Sequence, residues 1–146
     1  MQWGIDHEQD AFAAYEALTG ELASPCGFVA HDAWMAGASP DGQIDDWTGL
    51  LELKCPLPAT HLGYLRGKTI PADYLAQMTH ALWITGALWC DFLSWCPAFP
   101  RGLQTFYQRV ESSEALRSPY AVKAVEFLKE IDAEVEAVKA MVPDGV

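Results

Sequence analysis

The sequence predicts an α+β, or mixed α/β, domain on three observations. Apolar residues recur at helical spacing near the start, the middle and the end of the chain. Between these stretches lie short runs with strand-like alternation, and glycines and prolines mark the changes. The resulting order is helix, strands, helix, strands, helix, which suits a central sheet flanked by helices.

The first helix is expected over Gly4 to Thr19, where Ile5, Phe12, Tyr15 and Leu18 recur at helical spacing and Gly20 supplies the stop. Gly27 to His31 and Trp34 to Ala38 lie either side of Asp32 and read as a hairpin or meander. Gln43-Ile44 and Leu50 to Cys55 follow as strands around a turn at Asp45-Asp46 to Gly49, and Pro56 and Pro58 end this part of the sheet. Pro71 suits the first turn of a helix whose body is Tyr74 to Thr85, with Leu75, Met78, Leu82 and Trp83 near one face and Gly86 after it. Leu88 to Cys96 and Leu103 to Val110 are aromatic-rich strands separated by a Pro97 to Gly102 turn. From Pro119 a last amphipathic helix runs to about Val142, with Val122, Val125, Leu128, Ile131, Val135 and Val138 as its stripe.

A chain of 146 residues suits a single domain, and 51 % hydrophobic composition is ample for a core. No repeat, linker or low-complexity block divides it, so residues 1–146 are read as one unit. The formal charge of −11 excludes a diffuse polybasic coat, so any contact with DNA has to be local or assisted by metal ions. Cys26, Cys55, Cys90 and Cys96 form no C-x-x-C pair, no signal-like segment opens the chain, and the most apolar stretch is broken by Gly86 and Asp91. These features point to a cytoplasmic protein with reduced thiols.

The chemistry concentrates in Gly37 to Pro56. In the strand Leu51-Glu52-Leu53-Lys54-Cys55 side chains alternate, so the leucines enter the core while Glu52 and Lys54 share the other face, roughly 6 to 7 Å apart along a regular strand. A tight turn at Ser39-Pro40-Asp41-Gly42 brings Asp41 beside Glu52. Two such carboxylates repel unless a cation bridges them, and hard oxygen ligands suit Mg²⁺ or Mn²⁺ better than zinc. An adjacent lysine can orient or deprotonate a water for attack on a phosphodiester. On spacing alone, a solvated Glu-x-Lys pair on a strand surface is the plain alternative.

Taken in order, "WGIDHEQDAFAAYEALTG", "GASPDG", "GLLELKCP" and "YLAQMTHALWITGALWCDFLSWCP" resemble the lambda-exonuclease-like family, the YqaJ-type viral recombinases of the PD-(D/E)xK nuclease superfamily. The resemblance runs from Trp3 to the last helix and implies a restriction-endonuclease-like core. It implies a Mg²⁺-dependent exonuclease, with Mn²⁺ as substitute and two ions at the site, that digests one strand of linear double-stranded DNA from its 5′ end. It further implies a phage or prophage protein in a bacterial host, a single-strand annealing protein as partner, and a ring-shaped homotrimer.

Carried over by motif, Asp41 and Glu52 match the direct metal ligands, Lys54 the lysine that handles the attacking water, and the carbonyl of Leu53 a further ligand. Glu8 of W-G-x-x-x-E matches a glutamate near the second cation, with an exposed helix-surface glutamate as its alternative. Gln77 of Tyr74-x-x-Gln77 matches a glutamine near the scissile phosphate or the lysine, with a polar residue at the helix margin as its alternative, and Ser39 matches a serine on the terminal 5′ phosphate, with a turn residue bonding the backbone as its alternative. Arg66 and Lys68, in a loop-like stretch, form a small basic patch for the DNA backbone. The four histidines have no metal-like spacing and read as surface or boundary residues, with His80 set apart because it follows Gln77 on a similar helix face. Trp83, Trp89 and Trp95 read as core rather than as a base-stacking platform.

The resemblance implies a further segment ahead of the W-G helix that supplies part of the 5′-phosphate pocket; residues 1–146 do not include it, so the chain reads either as a shortened relative or as a fragment. Two readings of different class therefore stand side by side. One is the metal-dependent exonuclease. The other is a non-catalytic or accessory nuclease-fold module that assembles with a recombination partner.

Overall fold

Five strands form one mixed sheet in a computed structural model that describes residues 2–141, with side chains from residue 7 onward. The helix α1 (Gln2–Thr19) leads into it and buries Ala11 and Tyr15 completely. Its predicted stripe holds in part, since Leu18 is half exposed and the side chain of Ile5 lies outside the described residues. Gly20 ends the helix in the left-handed region (φ 77°), where a residue without Cβ pays no steric penalty.

The strands β1 (Ala23–Pro25), β4 (Gly42–Ile44), β5 (Gly49–Lys54), β6 (Trp89–Trp95) and β7 (Thr105–Glu111) lie in the order β1-β4-β5-β6-β7. All neighbours are antiparallel except β5 and β6, which run parallel with Glu52 opposite Phe92 and Lys54 opposite Ser94. A separate hairpin pairs β2 (Val29–Ala30) with β3 (Gly37–Ala38), much shorter than the runs the sequence suggests. The β4–β5 turn holds Asp45, Asp46 and Trp47 at positive φ, a conformation in which aspartate is among the better tolerated residues. At Gly49 the indole of Trp89 lies so close that a Cβ would meet it at 2.3 Å, so this register requires glycine.

A parallel pair needs a crossover, and two helices make it: α2 (Pro58–Gly67) and α3 (Ala72–Thr85). The helix α2 is new relative to the sequence reading, which took Pro56 and Pro58 as a stop. Pro58 instead opens the helix, where its missing N–H costs nothing, and Lys68 closes it in a left-handed cap. The last helix, α4 (Glu114–Lys139), begins five residues before Pro119 because the Ser113 side chain accepts a 3.2 Å hydrogen bond from the amide of Leu116. Its predicted end at Val142 lies outside the described residues. None of its described residues is buried, and Val122, Ile131, Val135 and Val138 of the expected stripe are exposed. No helix among the described residues is long and apolar enough to cross a membrane.

Alternation along β5 divides the core. Leu51 and Leu53 face α1 in a cluster with Tyr15, Ile44, Leu93 and Trp95. Leu50 faces α3 with Phe92, Cys90, Met78 and Leu82. Full burial of each large side chain contributes about 1.5–3 kcal/mol, so the sheet is held from both faces. Glu52 and Lys54 fall on the α3 side, the same side as Leu50.

Candidate active site

The charged cluster is assembled where β4 and β5 meet. The amide of Asp41 donates to the carbonyl of Leu51 (3.1 Å), which extends the β4–β5 ladder by one rung. The Asp41 side chain then takes over from the backbone, and its Oδ2 accepts from the amide of Leu53 at 2.7 Å. Asp41 is thereby locked against β5 by its own side chain and main chain. In a strand the N–H and C=O of one residue point to the same side, so the Leu53 carbonyl also faces the edge on which Asp41 sits.

Glu52 is only 2 % exposed, an unusual position for a carboxylate. Its Oε2 accepts from Nε2 of Gln77 on α3 at 3.0 Å, and its Oε1 has the Lys54 ammonium in ion-pair contact and no other partner among the described residues. Lys54 also lies 3.8 Å from Oδ2 of Asp41 and 5.1 Å from the centre of the Tyr74 ring. One cation thus serves two carboxylates and is backed by an aromatic face. Burial pushes the Glu52 carboxyl above its ordinary 4.5, and the charge of Asp41 adds to this, against the opposing pull of Lys54 and Gln77. For Lys54 burial acts downward, but the charges of Glu52 and Asp41 outweigh it and the ammonium is held above its ordinary range.

A cleft of about 290 Å³ opens beside this cluster, lined by Ser39, Pro40, Glu52, Gln77 and His80 among others. Ser39 is exposed at its rim, and Gln77 reaches in from α3. The structure thus brings Asp41, Glu52, Leu53, Lys54, Gln77 and Ser39 together. It does not bring in Glu8. That residue is exposed on α1 and lines a different concavity with Phe12, Ala23 and Pro25, its charge felt by Cys55. Among the described residues no group of three His, Cys, Asp or Glu side chains that could hold a metal ion is present. Arg66 lies in the last turn of α2 and Lys68 is its cap, both exposed; the expected loop is a helix terminus.

The donor set nonetheless fits Mg²⁺. This ion is commonly held by one or two carboxylates, its remaining positions filled by water and substrate phosphate. Asp41 and Glu52 are two such carboxylates, Leu53 offers a carbonyl, and the buried Oε1 of Glu52 has an ammonium as its one partner among the described residues.

Two features escaped the sequence reading. His61, expected at a surface or boundary, is fully buried and bonded to Ser94 Oγ (2.7 Å) and the Leu103 carbonyl (2.9 Å). Asp91, on the opposite face of β6 from Phe92, accepts two hydrogen bonds from Arg109 (2.7 and 2.9 Å) and one from the Tyr15 hydroxyl (2.8 Å). The Arg109 guanidinium is stacked 3.5 Å from the Trp89 ring. Their residue types give no spacing signal, because the partners come from α1, β6 and β7.

A mixed sheet with two acids and a lysine on one strand–turn unit defines a nuclease-type fold. The chain belongs to the family described as the YqaJ-like viral recombinase domain, whose model matches residues 1–88. Among solved structures, an alkaline exonuclease from Laribacter hongkongensis, LHK-Exo, is 37 % identical, with a TM-score of 0.89 over 96 % of this chain and 72 % of its own. The structure of LHK-Exo in complex with dAMP matches with the same values: 37 % identity, TM-score 0.89, and 96 % and 72 % coverage. A phage-related exonuclease from Haemophilus somnus 129PT shares the fold, at 12 % identity and a TM-score of 0.76 over 94 % of this chain and 72 % of its own. No curated protein matches the sequence.

Proposed function

We propose that this protein is a Mg²⁺-dependent deoxyribonuclease that digests linear double-stranded DNA from its 5′ ends, as an exonuclease of phage-type recombination. The observation that carries the reading is the clustering of Asp41, Lys54 and Gln77 around Glu52, which with Gln77 lines the neighbouring cleft. Family membership and the 37 % identical LHK-Exo, an alkaline exonuclease, support it.

Asp41, Glu52 and the Leu53 carbonyl are the residues that would hold Mg²⁺, which when bound supplies Lewis-acid stabilisation of the charge that develops on the phosphate. Gln77 holds Glu52 through its Oε2, which leaves Oε1 to Lys54. Lys54 positions the attacking water and carries positive charge towards the phosphate. Its proton is held most tightly while Glu52 and Asp41 carry uncompensated charge, so loss of that charge prepares it to act as a base. Ser39 at the cleft rim is placed to meet a terminal phosphate, and Arg66 and Lys68 are assigned to the DNA backbone. A second ion, a single-strand annealing partner and a ring of three copies belong to the same proposal.

The experiment is digestion of linear duplex DNA carrying 5′ phosphate or 5′ hydroxyl, beside closed circular DNA, with Mg²⁺ or Mn²⁺. Loss of linear DNA alone, faster with 5′ phosphate, is the expected result. Absence of metal-dependent cleavage on every substrate would favour an accessory nuclease-fold module, and cutting of closed circles would indicate an endonuclease.

A further inference from the structure

His80 lines the candidate cleft, and both of its ring nitrogens are engaged by protein groups. Nε2 lies 2.9 Å from the carbonyl of Gly37, and Nδ1 lies 2.8 Å from the hydroxyl of Tyr120 on α4. A carbonyl only accepts, so Nε2 carries a hydrogen and donates it to Gly37, while Nδ1 shares a hydrogen bond with the Tyr120 hydroxyl. Burial pushes the Tyr120 phenol up, which keeps the hydroxyl protonated. The three rings of His80, Tyr120 and Trp83 pack with centroids 5.7 to 6.0 Å apart, which leaves the His80 ring little room to rotate away.

Gly37 begins the short segment that continues through Ser39 and Pro40 to Asp41. A Cβ at Gly37 would meet the Phe28 ring and the Val29 carbonyl at under 3 Å, so the backbone is confined on its other side as well. We propose that His80 is a positioning residue, which ties α4 through Tyr120 to the Gly37–Asp41 segment and so fixes the Asp41 carboxylate for cation binding. Its role rests on the nuclease reading for its catalytic consequence, but its mechanical part stands on the two hydrogen bonds alone.

Tyr120→Phe tests this most cleanly, because it removes one hydroxyl and keeps the ring; His80→Gln, which removes the ring and leaves one amide, is the second variant. Two readouts are taken on the full chain: amide hydrogen exchange of residues 37–42, and the Mg²⁺ concentration giving half-maximal cleavage, with global stability followed by urea unfolding. Loss of one hydrogen bond should speed exchange in 37–42 by about fivefold and raise the Mg²⁺ midpoint by a similar factor, with the rate at saturating Mg²⁺ little changed. A purely structural role would lower the urea midpoint while exchange in 37–42 changes only in step with the rest of the sheet; that result overturns the proposal. Unchanged exchange in both variants overturns it too. If the wild type cleaves no DNA, the nuclease reading fails while the exchange data still decide whether His80 anchors the segment.

Discussion

Gln77 and Glu52 are joined across two elements, with Nε2 of the α3 glutamine donating at 3.0 Å to Oε2 of a carboxylate that is 2 % exposed on β5. The contact fixes the carboxylate with Oε2 on Gln77 and Oε1 on Lys54. Gln77→Ala should therefore lower cleavage by about tenfold, chiefly by weakening the Mg²⁺ dependence, because Glu52 becomes free to rotate. Titration of the rate with Mg²⁺ in the variant checks this. An unchanged midpoint would show that Gln77 plays no part in orienting the acid.

The pairing of Lys54 with both acids leads to a second expectation. Lys54 competes with a cation for Glu52 and Asp41, so Lys54→Ala should lose cleavage by 10²-fold or more, to order of magnitude, yet bind Mg²⁺ at least as tightly as the wild type. In the absence of Mg²⁺ the variant should be less stable, since the buried carboxylate keeps no cationic partner within contact. Thermal unfolding with and without Mg²⁺ should thus show a larger upward shift in the variant. An equal or smaller shift would contradict the competition.

Glu52 also sets a pH dependence. Its carboxyl is raised above 4.5 mainly by burial, so the folded state favours the protonated acid more than the unfolded chain does. Without cation, that contribution to stability is full below 4.5 and is lost as the pH rises through the raised value. Cation binding needs the carboxylate, so the stabilisation given by Mg²⁺ should be small at pH 4.5 and grow towards neutral pH. Melting temperatures measured with and without Mg²⁺ across that window provide the check. A Mg²⁺ shift that is flat in pH would remove Glu52 from the cation site.

A fourth prediction concerns the other face of the sheet. Asp91 is fully buried and pairs with Arg109 and Tyr15, so Asp91→Ala leaves a stacked guanidinium and a buried hydroxyl without their acceptor. The expected loss is about 2–4 kcal/mol of folding stability, read by urea unfolding, with cleavage per folded molecule unchanged. A loss below about 0.5 kcal/mol would show that the network is solvated or redundant.

The charged cluster was legible in the sequence because strand alternation alone places Glu52 and Lys54 on one face, and the Ser39-Pro40-Asp41-Gly42 turn lies a hairpin's length upstream. The helix around Gln77 was legible for the same reason, a 3.6-residue period ended by Gly86. What stayed hidden depended on partners distant along the chain or on ambiguous punctuation. Pro58 is equally a stop and a helix start, and only the packing of His61 between Ser94 and Leu103 shows which. Pro119 looked like a beginning, whereas the Ser113 cap starts α4 earlier. The strand β1 is three residues long and ends in proline, too short for alternation to register. The motif placed Glu8 near the metal, but the helix sets it on an exposed stretch beside Phe12 and Pro25.

Degradation of linear duplex DNA by the wild type and by Lys54→Ala, with and without Mg²⁺ and with closed circular DNA alongside, tests the central claim most directly. Mg²⁺-dependent loss of linear DNA is expected in the wild type, with intact circles and with degradation slower by about 10²-fold or more in a Lys54→Ala protein that still folds and binds the cation. Undigested linear DNA with folded, Mg²⁺-saturated wild type, or equal digestion by Lys54→Ala, would contradict the claim.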